Sequence, residues 1–195
     1  MHKKKVLVTG FSPFLDFKVN PSGEIAKKLD GFKSDTYKAF GIELPVLHNE
    51  ARKILEQRFS EINPDLVVGL GLAANATGIR IERVALNRYY RSGEVEERIG
   101  EVVAYETSLP YERIREALWN KGIPAYYSFN AGTYLCNEVF YTIASLCSRK
   151  GIRGGFIHIP FMHRQVIAMK KFSYPSMQEG LLIEAIKTII EVSLV

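Results

Sequence analysis

Cysteine is scarce in this 195-residue chain, which carries only Cys136 and Cys147. Two thiols can neither build a disulfide-dense secreted scaffold nor fill a four-thiolate zinc site, although they suffice for one bridge. Long apolar runs are also missing. No stretch reaches the roughly 20 residues needed to cross a bilayer, and Val6-Leu7-Val8 is too short for the apolar part of a signal peptide. The expected setting is a reducing cytoplasm, with no membrane partner. Charge of one sign is not concentrated: 26 Lys and Arg against 21 Asp and Glu leave +5. The one dense basic run, Lys3-Lys4-Lys5, leads straight into an apolar strand and reads as a solvated chain end, not a nucleic-acid tail. Gly/Ser linkers, low-complexity segments and repeats are absent. At about 150 residues per domain, residues 1–195 read as a single domain that needs no covalent staple.

What is present is an alternation of short β-rich runs and helical patterns. Val6 to Thr9, a run within Tyr37–Leu47, Leu66 to Val68, Ile79 to Leu86, Ile123 to Phe129 and Gly155 to Ile159 read as strands. Pro21 to Leu29, His48 to Phe59, Pro110 to Lys121, most of Gly132 to Cys147, and Met177 to Leu194 read as helices. Asn20 is placed to cap the first helix, with Pro21 at its first position. Ser92 to Gly100 is polar and charged and reads as an exposed loop. Alternation of this kind predicts an α/β fold with a largely parallel sheet covered on both faces. The terminal helix is apolar on more than one face, so it is either deeply buried or half-buried against another subunit.

Two glycine signals have to be weighed first. Gly69-Leu70-Gly71-Leu72-Ala73-Ala74 fits the dinucleotide fingerprint G-x-G-x-x-A after a strand. The following Asn75-Ala76-Thr77-Gly78 does not continue as an amphipathic helix, and no acid ends a strand about 20 residues on. Val8-Thr9-Gly10 lacks the later glycines of a nucleotide loop.

A second constellation carries more chemistry. Cys136 follows a strand and a small-residue turn, Ser128 to Gly132, at a helix start, where the helix dipole favours a thiolate. The bland reading of any one cysteine is a buried packing residue, and Cys147, later on the same helix, fits it. His158 lies at the C-terminal end of an apolar strand, where open α/β sheets present groups to a ligand crevice; the alternative is a satisfied core histidine. His2, His48 and His163 lack that context and read as terminal or surface residues. Glu82 sits inside a β-rich run between Arg80 and Arg83, and its alternative reading is a structural ion pair with one of them. Together, a thiol, an imidazole and a carboxylate supply nucleophile, base and orienter. No His or Cys pair has metal-ligand spacing.

Four stretches then resemble one family. They are Val8 to Phe14 with Val19-Asn20-Pro21-Ser22, Gly71-Leu72-Ala73 with Ile81 to Asn87, Ser128 to Asn137, and Gly155 to Phe161 with Pro175-Ser176-Met177. In order and over nearly the whole length, they resemble the pyrrolidone-carboxylate peptidases (pyroglutamyl peptidase I), a cysteine peptidase family. The resemblance implies a Cys136–His158–Glu82 triad. It implies hydrolysis of N-terminal pyroglutamyl residues from peptides without metal or cofactor. It also implies a three-layer α/β/α sandwich with a twisted sheet and a homo-oligomer, commonly a tetramer.

The substrate ring needs an apolar slot and a few hydrogen bonds. Phe11 and Phe14 are placed to sandwich it, Asn20 matches the substrate-side loop, and Tyr134 and Leu135 match pocket positions. The bland reading of both phenylalanines is core packing. Departures from the family pattern are Leu15-Asp16 after Pro-Phe, Asn75-Ala76 before the glutamate strand, Arg80 where a small hydroxyl residue is usual, and a shortened loop after Asn87. By the resemblance Arg91 stands for a family arginine placed near the active site, one residue out of register. Two other classes remain: a binding protein on this fold silenced by the altered loops, and a nucleotide-dependent enzyme using Gly69–Ala74.

Overall fold

The computed structural model describes residues 3–14, 18–91 and 95–195. In chain order it runs β1 (Lys4–Phe11), α1 (Pro21–Leu29), β2 (Tyr37–Leu44), α2 (Glu50–Ile62), β3 (Leu66–Leu72), β4 (Ile79–Glu82), β5 (Val84–Leu86), β6 (Tyr89–Arg91), β7 (Val95–Glu97), β8 (Ala104–Glu106), α3 (Tyr111–Asn120), β9 (Ala125–Ser128), α4 (Leu135–Lys150), β10 (Arg153–Ile159), β11 (Phe161–Met162), α5 (His163–Met169), β12 (Ser176–Met177) and α6 (Glu179–Ser193). Capping sets the first helix where the sequence places it. The Asn20 side chain accepts from Ser22 N at 3.1 Å, and Pro21, which has no N–H to satisfy, opens the helix.

The main sheet has six strands in the order β2-β1-β3-β10-β4-β9. The first four run parallel. β4 lies antiparallel to β10, and β9 follows β4. Because side chains alternate along each strand, the sheet feeds two separate cores. Val6, Val8, Val68, Ile81 and Ile157 pack with α1, α3 and α6. Leu7, Phe11, Val67 and Phe156 pack with α2 and α4 on the opposite face. This is the three-layer α/β/α arrangement with a largely parallel sheet.

Several local expectations change. The run Ile79 to Leu86 is not one strand: it breaks at Arg83, with β4 in the main sheet and β5 paired to β8. Alternation marks both halves as two-sided but cannot name their partners. Within the charged segment, residues 95–97 pair with 89–91 as a small hairpin rather than forming a plain loop, while 92–94 lie outside the described residues. β8, α5 and the β11–β12 pair carry too little periodicity to be foreseen. On α6, Leu182, Ala185, Ile186, Ile189 and Ile190 are fully buried within the chain itself, while Leu181, Ile183 and Val192 are only partly buried.

Candidate active site

The loop and helix that carry Cys136 begin at the end of β9. Asn130 Oδ1 accepts from Gly132 N at 2.8 Å, and Gly132 turns the chain with φ +84, a conformation that L side chains rarely adopt. α4 then starts at Leu135, which makes Cys136 its second residue. Its N–H has no acceptor inside the helix, and the helix dipole is positive there. The helix start is tied down by Asn137, whose amide exchanges two hydrogen bonds with Leu86 (both 2.8 Å) and gives a third to Arg88 O.

β10 and β4 supply the other two groups. Phe156 and His158 point to the α4 face, and Glu82 stands opposite Phe156 in the antiparallel register, diagonal to His158. His158 Nδ1 meets Glu82 Oε1 at 2.7 Å, with the glutamate side chain fully buried. A carboxylate only accepts, so Nδ1 carries the proton and Nε2 is left for the thiol. Burial works against charge on His158. The nearby Cys136 sulfur and the Glu82 carboxylate outweigh burial and raise its pKa from 6.5 to about 9. The three residues of the sequence constellation thus meet at one point. Glu82 also keeps the ion pair of its alternative reading, to Arg80 Nη2 at 3.4 Å. Arg83 instead stacks its guanidinium 3.3 Å over the Tyr111 ring.

Cys147 has a different environment. It is buried in the second core, and burial pushes its thiol up to about 12. Both cysteines are free. They lie eleven positions apart on one straight helix, about 16 Å along its axis, and a disulfide needs Cα atoms within about 7 Å. The single bridge that spacing left open is therefore excluded.

The glycines of the dinucleotide-like run have a packing reason. A Cβ on Gly69 would sit 2.5 Å from the Phe156 ring, and one on Gly71 would sit 2.9 Å from that ring and 3.0 Å from Cys136 Sγ. No helix follows them; the chain goes from β3 through a turn into β4, so the phosphate seat of a nucleotide fold is not built.

Beside Cys136 lies a small apolar pocket lined by Phe11, Phe14, Asn20, Val46, Leu72, Tyr134 and Leu135. Five of the six residues that the sequence assigns to substrate binding, all but Arg91, are on this wall; Val46 and Leu72 are additions that no sequence signal marks. Phe11 serves both readings, since it is 4% exposed and also packs against Phe156 at 6.5 Å between centroids. Asn20 spends Oδ1 on Ser22 N and Oγ and one amide hydrogen on Ser12 O. That leaves one amide hydrogen for a ligand. The side chain of Arg91, and Leu15 and Asp16, lie outside the described residues.

His48 is not the surface residue that its context suggests. Its Nδ1 is 2.5 Å from Glu138 Oε2, with side chains 12% and 0% exposed, and its ring stacks on Tyr89 and meets Tyr134 edge-on. Asn49 N donates to the other Glu138 oxygen. Through the Tyr134 ring the pair touches one wall of the pocket. His163 does lie at the surface, bonded to Ser176 Oγ, and His2 is outside the described residues. Among the described residues, no group of three His, Cys, Asp or Glu side chains is placed to hold a metal ion, and no helix is long and apolar enough to cross a membrane.

A thiol at a helix start, with an imidazole and a buried carboxylate on interior strands of an α/β sheet, is a set of groups that cysteine hydrolases use. Comparison with known proteins narrows the class. The family model described as pyroglutamyl peptidase matches residues 4–195, and the chain belongs to that family. It is 40% identical to a pyrrolidone-carboxylate peptidase of Pyrococcus furiosus, covering 97% of this chain and 98% of that one. It is 36% identical to one of Klebsiella pneumoniae, covering 97% and 92%. A solved structure of the Pyrococcus furiosus pyrrolidone carboxyl peptidase superposes with a TM-score of 0.92, covering 97% of this chain and 98% of that chain.

Proposed function

We propose that this protein is a pyroglutamyl peptidase that removes the N-terminal pyroglutamyl residue from peptides through Cys136, His158 and Glu82. The observation that carries the reading is the fully buried Glu82 at 2.7 Å from His158 Nδ1, which turns the other ring nitrogen to Cys136 beside an apolar pocket. The Cys136 thiolate attacks the pyroglutamyl carbonyl, and negative charge moves to the carbonyl oxygen. The Cys136 N–H, free at the helix start, donates to that oxygen. The His158 imidazolium gives its Nε2 proton to the leaving amine as the C–N bond breaks, which leaves a thioester. Neutral His158 then takes a proton from water, the resulting hydroxide adds to the thioester, and the thiolate leaves with free pyroglutamate.

The pocket suits the substrate because pyroglutamate has no free ammonium group to anchor. Phe11 and Phe14 flank the flat ring, and the remaining Asn20 amide hydrogen offers a donor to the lactam carbonyl. Arg91 is proposed as a contact on the peptide side. The reaction needs neither metal nor cofactor. Residues 1–195 form one catalytic domain, which works in the cytoplasm as a homo-oligomer, a tetramer or a dimer.

The test is release of a fluorescent amine from a pyroglutamyl amide. Wild type turns the amide over and Cys136→Ser falls by at least about 1,000-fold, while Cys147→Ser stays within about threefold of wild type. Equal rates for wild type and Cys136→Ser would remove Cys136 as the nucleophile.

A further inference from the structure

Arg80 is the largest chemical departure from the family pattern inside the site. It occupies β4 directly across from His158, on the face that carries Glu82. Its side chain is 27% exposed. One nitrogen, Nη2, reaches Ser128 Oγ at 2.8 Å, Asn130 O at 3.4 Å and Glu82 Oε1 at 3.4 Å. Ser128 and Asn130 belong to the turn that leads into α4 and Cys136, and Arg80 Nε is buried with no hydrogen-bond partner. A small hydroxyl side chain at this position would reach none of these groups at once.

We infer that Arg80 is a positioning residue, which ties the Glu82 carboxylate to the Ser128–Asn130 turn and so sets the acid and the nucleophile-bearing segment against each other. The inference rests on the assignment of Glu82, His158 and Cys136 above. Its physical reason is the buried carboxylate. Glu82 Oε2 is buried without a partner, and a buried carboxylate is costly unless a counter-charge stays beside it. His158 supplies that charge only while protonated, and it passes through its neutral form in each turnover. A guanidinium keeps its charge throughout. Arg80 therefore keeps a counter-charge beside the Glu82 carboxylate and holds it aimed at Nδ1 in the steps where the imidazole is neutral. At the same time it draws on the oxygen that His158 uses, which weakens the hold of Glu82 on the imidazolium.

The test uses a Cys147→Ser background and two readouts: the pH profile of Cys136 alkylation by iodoacetamide, and kcat and KM on a pyroglutamyl amide. Arg80→Met lowers kcat by about tenfold or more with KM little changed, and moves the alkaline limb of both profiles up by about one pH unit, because the imidazolium loses a like-charged neighbour. Arg80→Lys keeps the charge, so its alkaline limb stays at the wild-type position while kcat falls. Ser128→Ala cuts the other end of the tether and lowers kcat severalfold without moving the limb. Wild-type profiles and wild-type kcat in both Arg80 variants would overturn the inference, as would a change confined to melting temperature. If wild type fails to turn over the amide, the peptidase reading falls, while the alkylation profiles still decide the role of Arg80.

Discussion

At the scale of single residues, the same side-chain types behave oppositely according to what surrounds them. Cys147 is an inert thiol because burial raises its pKa to about 12. Cys136 lies at a helix start beside an imidazole whose pKa is held up to about 9. That raised value fixes two pH dependences. In the proposed mechanism protonated His158 serves the leaving amine, so kcat/KM is expected to decline as pH rises through about 9. Stability follows the same sign. The folded pKa exceeds the unfolded 6.5, so the contribution is full below about 6.5 and is lost as pH rises through about 9. Glu82→Gln removes one of the groups that raises His158. Its kcat falls by about 100- to 10,000-fold, its alkaline limb moves to lower pH, and its denaturation midpoint changes less between pH 6 and pH 9 than that of wild type. An unchanged limb in Glu82→Gln would mean that the carboxylate does not act on the imidazole.

Secondary-structure elements succeed in the sequence reading where their signals are local. The cap Asn20 and Pro21 mark the start of α1 to the residue, and α4 is visible as a helix with Cys136 in its first turn. Elements whose partners are distant are harder. The break at Arg83 depends on β10 and β9 taking β4 while β8 takes β5, and no pattern within eight residues contains that choice. Gly69 and Gly71 show the same lesson. In sequence they imitate a phosphate loop; in the fold they make room for the Phe156 ring and, at Gly71, for the Cys136 sulfur. Gly71→Ala is expected to retain the fold and lower kcat by about 100-fold, since a Cβ 3.0 Å from Cys136 Sγ forces a displacement of the sulfur. Circular dichroism and the amide assay separate the two effects. Wild-type kcat in a folded Gly71→Ala protein would show that the sulfur tolerates the shift.

Across the whole molecule, the sheet brings together residues from distant parts of the sequence. The pocket residues Phe11, which ends β1, and Val46, which follows β2, stand at one side, Cys136 stands over β3, and His158 and Glu82 lie on β10 and β4 towards the other side. Both thiols ride on one rigid helix, which keeps them apart. Exposure of the folded protein to a mild oxidant is therefore expected to produce no Cys136–Cys147 bridge. Intact-mass measurement tests this, because such a bridge would remove two protons and block both thiols to alkylation. α6 buries Leu182, Ala185, Ile186, Ile189 and Ile190 against the core it shares with α1 and α3, while Leu181, Ile183 and Val192 are only partly covered.

The sequence by itself determined the class of fold, the first-turn position of Cys136, and the residue types of an acid–imidazole–thiol chemistry. Those features depend on hydrophobic period, caps and local turns, which act between near neighbours. The tertiary structure decided the rest. It set the 2.7 Å contact between His158 and Glu82, the two sides of Arg80, and the burial of His48 against Glu138 across 90 positions. It also divided eight pocket-lining residues among four separate stretches of chain. The physical reason is that strand order and register bring such partners together only when the sheet closes, and nothing in the local pattern of either partner records the other.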